Sequence, residues 1–104
     1  MNVIILNGSP RRGANTETMA NAFAEEARAC GHEAEVLDVG RMDIHGCLGC
    51  RYCFAHEGAC VQKDDMAAVL DKLRQADVVV FASPIYWFDV TAQEKAAIDR
   101  LYAF

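Results

Sequence analysis

Apolar residues in this chain occur in two patterns that alternate along the sequence. Continuous apolar runs predict strands over Asn2–Leu6 and Asp77–Ala82, and a shorter alternating run predicts a strand over Glu33–Asp38. Stretches with apolar residues three or four positions apart separate these strands, as amphipathic helices do. Strands that alternate with helices form a parallel sheet through right-handed crossovers. We therefore predict an α/β fold with strand order 2-1-3.

The helical spacing predicts three helices, and polar residues mark where they begin. The first helix covers Asn15–Cys30 and has one apolar stripe, and the thiol at the end of that stripe is expected to be buried. Asp64 or Asp65 is expected to cap the second helix. Thr91 and Glu94 form a capping box that opens the third. The members of the stripe on the first helix are Met19, Phe23, Ala27 and Cys30.

The loop between the first strand and the first helix has the composition of an anion-binding turn. Its backbone N–H groups and the positive end of the helix dipole point to one place. Hydroxyl and amide donors are available from Ser9, Asn15 and Thr16, and Arg11 or Arg12 can add forked, charge-assisted bonds. The alternative is an ordinary strand-to-helix turn in which Asn15 or Thr16 is the N-cap. The combination of two arginines with the hydroxyls favours phosphate binding.

Composition narrows the class of protein. The 104 residues are 53% hydrophobic and 24% charged, which is the size and composition of a single domain over 1–104. The net charge of −5 argues against nucleic acid as a partner. No apolar run reaches the length of about 18 residues that a membrane span needs, and no signal peptide precedes the first strand. A cytoplasmic protein is therefore expected.

Four of the five cysteines are concentrated in the long loop before the second helix. The spacing Cys47-x2-Cys50-x2-Cys53-x6-Cys60 suits a 4Fe–4S cluster held by four thiolates. A zinc ion is a second possibility, and free or disulfide-bonded thiols are a third. The histidines beside the cysteines, at positions 45 and 56, are expected to be solvent-exposed. No serine, histidine and aspartate form a nucleophile motif, so no catalytic side chain is predicted.

Five segments together resemble the flavodoxin-like NADPH-dependent FMN reductase family, in particular its iron–sulfur flavoprotein branch. These segments are Gly8–Arg11 with Asn15-Thr16, Cys47–Cys60, Lys63–Met66, Ser83–Trp87, and Lys95 with Ile98–Arg100. The resemblance implies a three-layer sandwich and an FMN-dependent oxidoreductase. It also implies NAD(P)H as electron donor, flavin or quinones as acceptors, and a 4Fe–4S cluster that passes electrons to a redox protein partner.

The resemblance further implies which residues bind FMN. The phosphate is expected on Ser9, Arg11, Asn15 and Thr16, and the ribityl chain and ring along Pro84, Ile85, Tyr86 and Trp87. The loop that contains the second set follows the third strand, so it ends at the same sheet edge as the anion-binding turn. Aromatic side chains offer the flat apolar surface that a flavin ring needs. The alternative is that the two aromatic residues merely cover the end of the sheet or an interface.

Family members are usually about twice as long, so the resemblance covers the N-terminal half of the fold, before strands 4 and 5. The third strand is then left with one open edge, which is a template for pairing. We predict a homodimer in which two third strands pair across a two-fold axis. The alternative function is a truncated flavodoxin-like fragment that forms such a dimer without flavin and without catalytic activity.

Overall fold

The computed structural model describes residues 1–104 and contains the predicted parallel sheet. The strands are β1 (Asn2–Asn7), β2 (Glu33–Leu37) and β3 (Val78–Ala82). Their order is β2-β1-β3, and Val3 of β1 is in register with Ala34 on one side and Val78 on the other. The predicted α/β fold and strand order are therefore confirmed. Because β1 is central, the loop that follows it lies at the middle of the carboxyl edge.

Helices cover both faces of the sheet. They are α1 (Asn15–Ala29), α2 (Met66–Arg74) and α3 (Ala92–Asp99), with single 3₁₀ turns at Val39–Arg41, Tyr52–Ala55 and Arg100–Ala103. Val3 and Ile5 of β1 pack against α1. Ile4 and Leu6 point to the other face and share a core with α2 and α3. This alternation along one strand produces the three layers. No helix combines the length and the apolarity that crossing a bilayer requires.

The residues of the predicted apolar stripe on α1 are not the ones that pack against the sheet. The buried positions are Ala20 and Ala24, whereas Met19 is 72% exposed and Phe23 is 48% exposed. Small alanine side chains let the helix lie close to β1, and the larger apolar side chains are displaced to one side of that contact. The expectation of a buried thiol was wrong. Cys30 is exposed, because it follows the last helical residue and lies where the chain turns away from the core.

The outer side of β3 is open. Val79 is 38% exposed and Phe81 is 48% exposed, so this strand is covered only in part by its neighbouring helices. Phe81 lines an apolar groove with Met19 and Phe23 of α1. Thus the large side chains that α1 does not bury against β1 lie beside the free strand edge.

Candidate functional site

The anion-binding turn is a tightly bonded loop at the carboxyl end of β1. The Ser9 side chain is almost completely buried, and its backbone N–H donates to Asn7 Oδ1 at 3.1 Å. Its hydroxyl Oγ accepts from the Arg11 backbone N–H at 3.2 Å. The Gly8 N–H donates to the Ala82 carbonyl at 2.8 Å, which ties the turn to the end of β3. The two strand ends are therefore held together, as the strand order predicted.

The start of α1 is not capped by a side chain. Ala14 is the N-cap residue, so neither Asn15 nor Thr16 has the capping role of the alternative interpretation. The Gly13 backbone, in the left-handed region at φ 66°, directs its N–H to the carboxylate of Glu17 in the first turn. The positive end of a helix dipole favours such a contact between a carboxylate and a backbone N–H. The local geometry therefore attracts negative charge.

One open cavity joins this turn to the loop after β3. It brings together all four predicted phosphate ligands and two of the four residues predicted to lie along the flavin. Its lining residues are Ser9, Arg11, Gly13, Ala14, Asn15, Thr16, Pro84 and Tyr86. Ile85 and Trp87 are 80% and 91% exposed and lie outside this lining. Arg12 is exposed and does not line the cavity, so Arg11 is the arginine in position to contact a ligand there.

Beyond the cavity, two aromatic residues form a strained turn that no sequence pattern predicted. Tyr86 and Asp89 form two backbone hydrogen bonds with each other. Trp87 and Phe88, which lie between these two residues, have φ values of 48° and 72°. A turn with two such residues normally requires glycine or asparagine. Both rings are about 90% exposed and touch edge to face at 5.5 Å between centroids. Strain of this kind is concentrated at functional sites in proteins.

The cysteine loop forms a second cavity. Cys47, Cys50, Cys53 and Cys60 all line it, together with Arg100 and a partly apolar surround. All four thiols are free. The two neighbouring histidines are exposed, one beside Asp43 and the other stacked on Tyr52, and neither lines the cavity.

The four thiols share one cavity but are not placed around a single metal ion. No three histidine, cysteine or acidic side chains in the chain are placed to hold one metal ion. Zinc needs all four sulfurs at about 2.3 Å from one centre. A 4Fe–4S cluster instead takes each thiolate on a different iron atom, and the four cysteines that line the cavity are the residues that would hold it.

A buried ion pair connects this cavity to the helices. The Arg100 side chain is 1% exposed and that of Asp64 is 4% exposed, and Nη1 donates to Asp64 Oδ2 at 2.7 Å. Nη2 donates to Oδ1 at 3.0 Å, and Nη1 also donates to the His45 carbonyl at 2.9 Å. These bonds connect the end of α3, the start of α2 and the start of the cysteine loop.

The N-cap residue of α2 is Asp65, whose side chain makes no capping bond. Asp64, just before it, joins the start of α2 to the cysteine loop. Its Oδ1 accepts from the Met66 N–H at 3.1 Å, and its Oδ2 accepts from the His45 N–H at 3.0 Å. Burial acts to raise the pKa of Asp64, but the hydrogen bonds from Arg100 and these backbone groups outweigh it and lower the pKa to about 2. The sequence offered no signal for a partner 36 residues away.

The predicted capping box at α3 forms only in part. The Thr91 hydroxyl accepts from the Glu94 backbone N–H at 3.0 Å and donates to the Gly8 carbonyl at 2.7 Å, so Thr91 is confirmed as the cap. The reciprocal contact is absent, because the Thr91 N–H donates to Ser83 Oγ at 3.0 Å. The Glu94 side chain is instead fully buried beneath Gly8, where a Cβ would lie 2.2 Å from Oε2.

Glu94 is the residue that the sequence interpretation missed most clearly. Neither of its carboxyl oxygens has a hydrogen-bond partner. Burial alone raises the pKa of Glu94 to about 8, so the group is mostly protonated at neutral pH. A neutral carboxyl under the anion-binding turn does not repel a phosphate, whereas a carboxylate in the same place would.

The open parallel sheet, with the turn after β1 at its switch point, defines a flavodoxin-like α/β protein. Residues 1–103 match the model of the NADPH-dependent FMN reductase family, and the chain belongs to that family. An iron–sulfur flavoprotein from Archaeoglobus fulgidus is 40% identical over 100 residues, covering 96% of this chain and 48% of the relative. One from Methanosarcina thermophila is 34% identical over 100 residues, covering 96% and 52%.

Solved structures agree with this assignment. An NAD(P)H:quinone oxidoreductase from Methanothermobacter marburgensis superimposes with a TM-score of 0.78 at 28% identity, over 98% of this chain and 53% of the other. RosB with bound 8-demethyl-8-formylriboflavin-5'-phosphate gives a TM-score of 0.80 at 25% identity, over 98% and 42%. The chain spans about half the length of the curated relatives it matches.

Proposed function

We propose that this chain provides the flavin-phosphate half of an FMN-dependent oxidoreductase of the iron–sulfur flavoprotein type. The observation that carries the proposal is the cavity in which Ser9, Arg11, Asn15 and Thr16 meet Pro84 and Tyr86 at one sheet edge. A monoester phosphate fits hydroxyl, amide and guanidinium donors at a helix N-terminus. The adjoining proline and tyrosine surfaces suit the ribityl chain and an aromatic ring.

FMN supplies the hydride and electron chemistry when it is bound, with NAD(P)H as the proposed donor and a flavin or quinone as acceptor. The protein residues bind and orient. Ser9 and Arg11 hold the phosphate, and the Tyr86–Asp89 turn directs Trp87 and Phe88 to the open side of the site. Family membership and a flavin-phosphate in a structural neighbour support this assignment.

The second proposed cofactor is a 4Fe–4S cluster. Cys47, Cys50, Cys53 and Cys60 would hold it, since all four line one cavity. Such a cluster supplies one-electron transfer when bound, which suits a redox protein as partner. Reduced thiols and this chemistry are compatible with the cytoplasm, which is where we propose that the protein acts.

Arg11 and Arg12 offer a matched test of the FMN site. Replacing Arg11 by alanine is expected to weaken FMN binding by about 1.5–3 kcal/mol, the contribution of a hydrogen bond to a charged group. Arg12→Ala removes the same charge outside the cavity and should have little effect. Flavin fluorescence quenching on titration measures both. Equal losses in the two variants would show that general charge, and not the cavity, binds FMN.

A protein that stays colourless after anaerobic incubation with FMN would refute the flavin proposal.

The open edge of β3 favours a second candidate, a flavin-free dimer of the 104-residue chain. The exposed Val79 and Phe81 provide both an unpaired strand and an apolar surface for a second copy. We expect a dimer at micromolar concentration in sedimentation, and Phe81→Lys should dissociate it. Val61→Lys, at an equally exposed apolar residue away from the sheet, serves as control. A wild-type monomer would contradict the pairing of β3 with β3.

A further inference from the structure

We propose that Arg100 is a positioning residue of the cysteine cavity: its Nε–H donates to a sulfur atom of the bound cluster, and its charge favours the reduced cluster. The inference rests on the iron–sulfur function proposed above. It concerns the first residue of the 3₁₀ turn after α3, which lies outside the cysteine motif and 40 positions beyond Cys60.

The guanidinium is held rigidly at the edge of the cavity. Arg100 lines the cavity with the four cysteines, and its side chain is 1% exposed. Two bonds to Asp64 and one to the His45 carbonyl fix the plane of the guanidinium. An arginine bound in this forked way has no freedom to turn its Nε–H elsewhere.

The Nε–H of Arg100 has no partner in the protein. Arg100 Nε is buried and makes no hydrogen bond. A buried N–H without an acceptor is costly, so its retention calls for an acceptor that the site would contain when loaded. Burial acts to lower the pKa of Arg100. Hydrogen bonding and charge from Asp64 raise it on balance. Cys60 lines the same cavity as Arg100.

The arrangement of charge is asymmetric. Asp64 pairs with Arg100 from outside the cavity lining, whereas Arg100 itself lines the cavity with the thiols, as does the exposed Arg51. The cluster site therefore has a buried positive group on one side, with its counter-charge set behind it. Four thiolates make the loaded site negative, and one more electron adds to that charge. Hydrogen bonds to the sulfurs and nearby charge are the factors that set the potential of a cluster. Arg100 is therefore expected to raise it.

The experiment compares three proteins with wild type after anaerobic reconstitution with ferrous iron and sulfide. Arg100→Lys keeps the charge and removes the Nε–H. The double variant Arg100→Gln with Asp64→Asn removes both charges and retains polar groups that can bond each other. Arg41→Gln is the control, because Arg41 pairs with Asp38, also has a buried unpartnered nitrogen, and does not line the cavity. Iron and sulfide content, the EPR spectrum of the reduced protein and the midpoint potential are measured.

We expect wild type and Arg41→Gln to give the same spectrum and potential. The double variant should have a more negative midpoint potential, and Arg100→Lys should change the EPR spectrum with a smaller shift. If wild type assembles a cluster and these two variants match it in spectrum and potential, the role of Arg100 is refuted while the iron–sulfur function stands. If wild type assembles no cluster, both fail. If the double variant does not fold, Arg100→Lys decides by the same criteria.

Discussion

Replacing Asp64 by alanine is expected to lower the free energy of unfolding by about 3–5 kcal/mol, because it leaves a buried guanidinium without its counter-charge. The Asp64 side chain is 4% exposed and accepts both bonds from Arg100. It also accepts from the N–H groups of Met66 and His45, so three segments of the chain lose their common partner. A domain of this size is stabilised by about 5–15 kcal/mol in total, so the loss is a large fraction.

Asp65 provides the matched control at the next position. Its carboxylate accepts one backbone bond, from the Asp43 N–H at 2.7 Å, and Asp65 is exposed. Asp65→Ala should therefore cost about 1 kcal/mol, the contribution of one hydrogen bond. Urea unfolding of the two variants and wild type measures the difference. Equal losses at the two positions would show that the ion pair contributes nothing beyond a capping bond.

The pH dependence of stability gives an independent check on Asp64. Its pKa falls from an ordinary 3.8 to about 2 in the folded protein, so between these values the unfolded chain binds more protons. The stabilisation is therefore complete above about pH 4 and is lost as the pH falls through about 2. Asp64→Ala should remove this acid-side dependence, whereas Asp65→Ala should retain it.

The sequence was sufficient for the topology because that depends on local patterns. Two continuous apolar runs and one alternating run, with helical spacing between them, leave few arrangements. A doubly wound sheet of three strands with right-handed crossovers has the order 2-1-3. The same order brings the loops after β1 and β3 to one edge. This is why Ser9 and Pro84 could be expected in one site although 75 positions separate them.

Details that depend on packing could not be predicted in this way. The apolar residues of α1 recur with the helical period, but this period does not determine which of the helix's residues pack against the sheet. Ala20 and Ala24 do so because they permit close approach, and Met19 and Phe23 remain exposed. The pairing of Asp64 with Arg100 depends on how α2, α3 and the cysteine loop pack together. No local pattern contains that information.

Glu94 is the instructive case, since its backbone followed the expected motif and its side chain did not. The capping box predicts a carboxylate that turns back to the N–H of Thr91 at the first turn. The Thr91 N–H donates instead to Ser83 Oγ. Gly8 has no side chain to fill the space beneath the anion-binding turn. The Glu94 carboxyl is consequently buried there, with no partner.

Replacing Glu94 by glutamine is therefore expected to stabilise the protein increasingly as the pH rises from about 5 to 8. The pKa of Glu94 is raised by burial from an ordinary 4.5 to about 8. Between these values the unfolded chain loses its proton and the folded protein retains it, so wild-type stability falls by about 1.4 kcal/mol per pH unit. Glutamine has nearly the same shape and does not ionise, so this fall should be absent. Above about pH 8 both states are ionised and the difference becomes constant.

Thermal or urea unfolding at several pH values tests this, with Glu25→Gln as the control. Glu25 is an exposed glutamate of α1, and its replacement should leave the pH profile of wild type unchanged. Parallel profiles for Glu94→Gln and wild type would show that the Glu94 carboxyl is not held neutral. The same measurement bears on the anion-binding turn, because ionisation of a carboxyl beneath Gly8 places negative charge where a phosphate binds. If the flavin site is as proposed, FMN affinity of wild type should also fall above about pH 8, and that of Glu94→Gln should not.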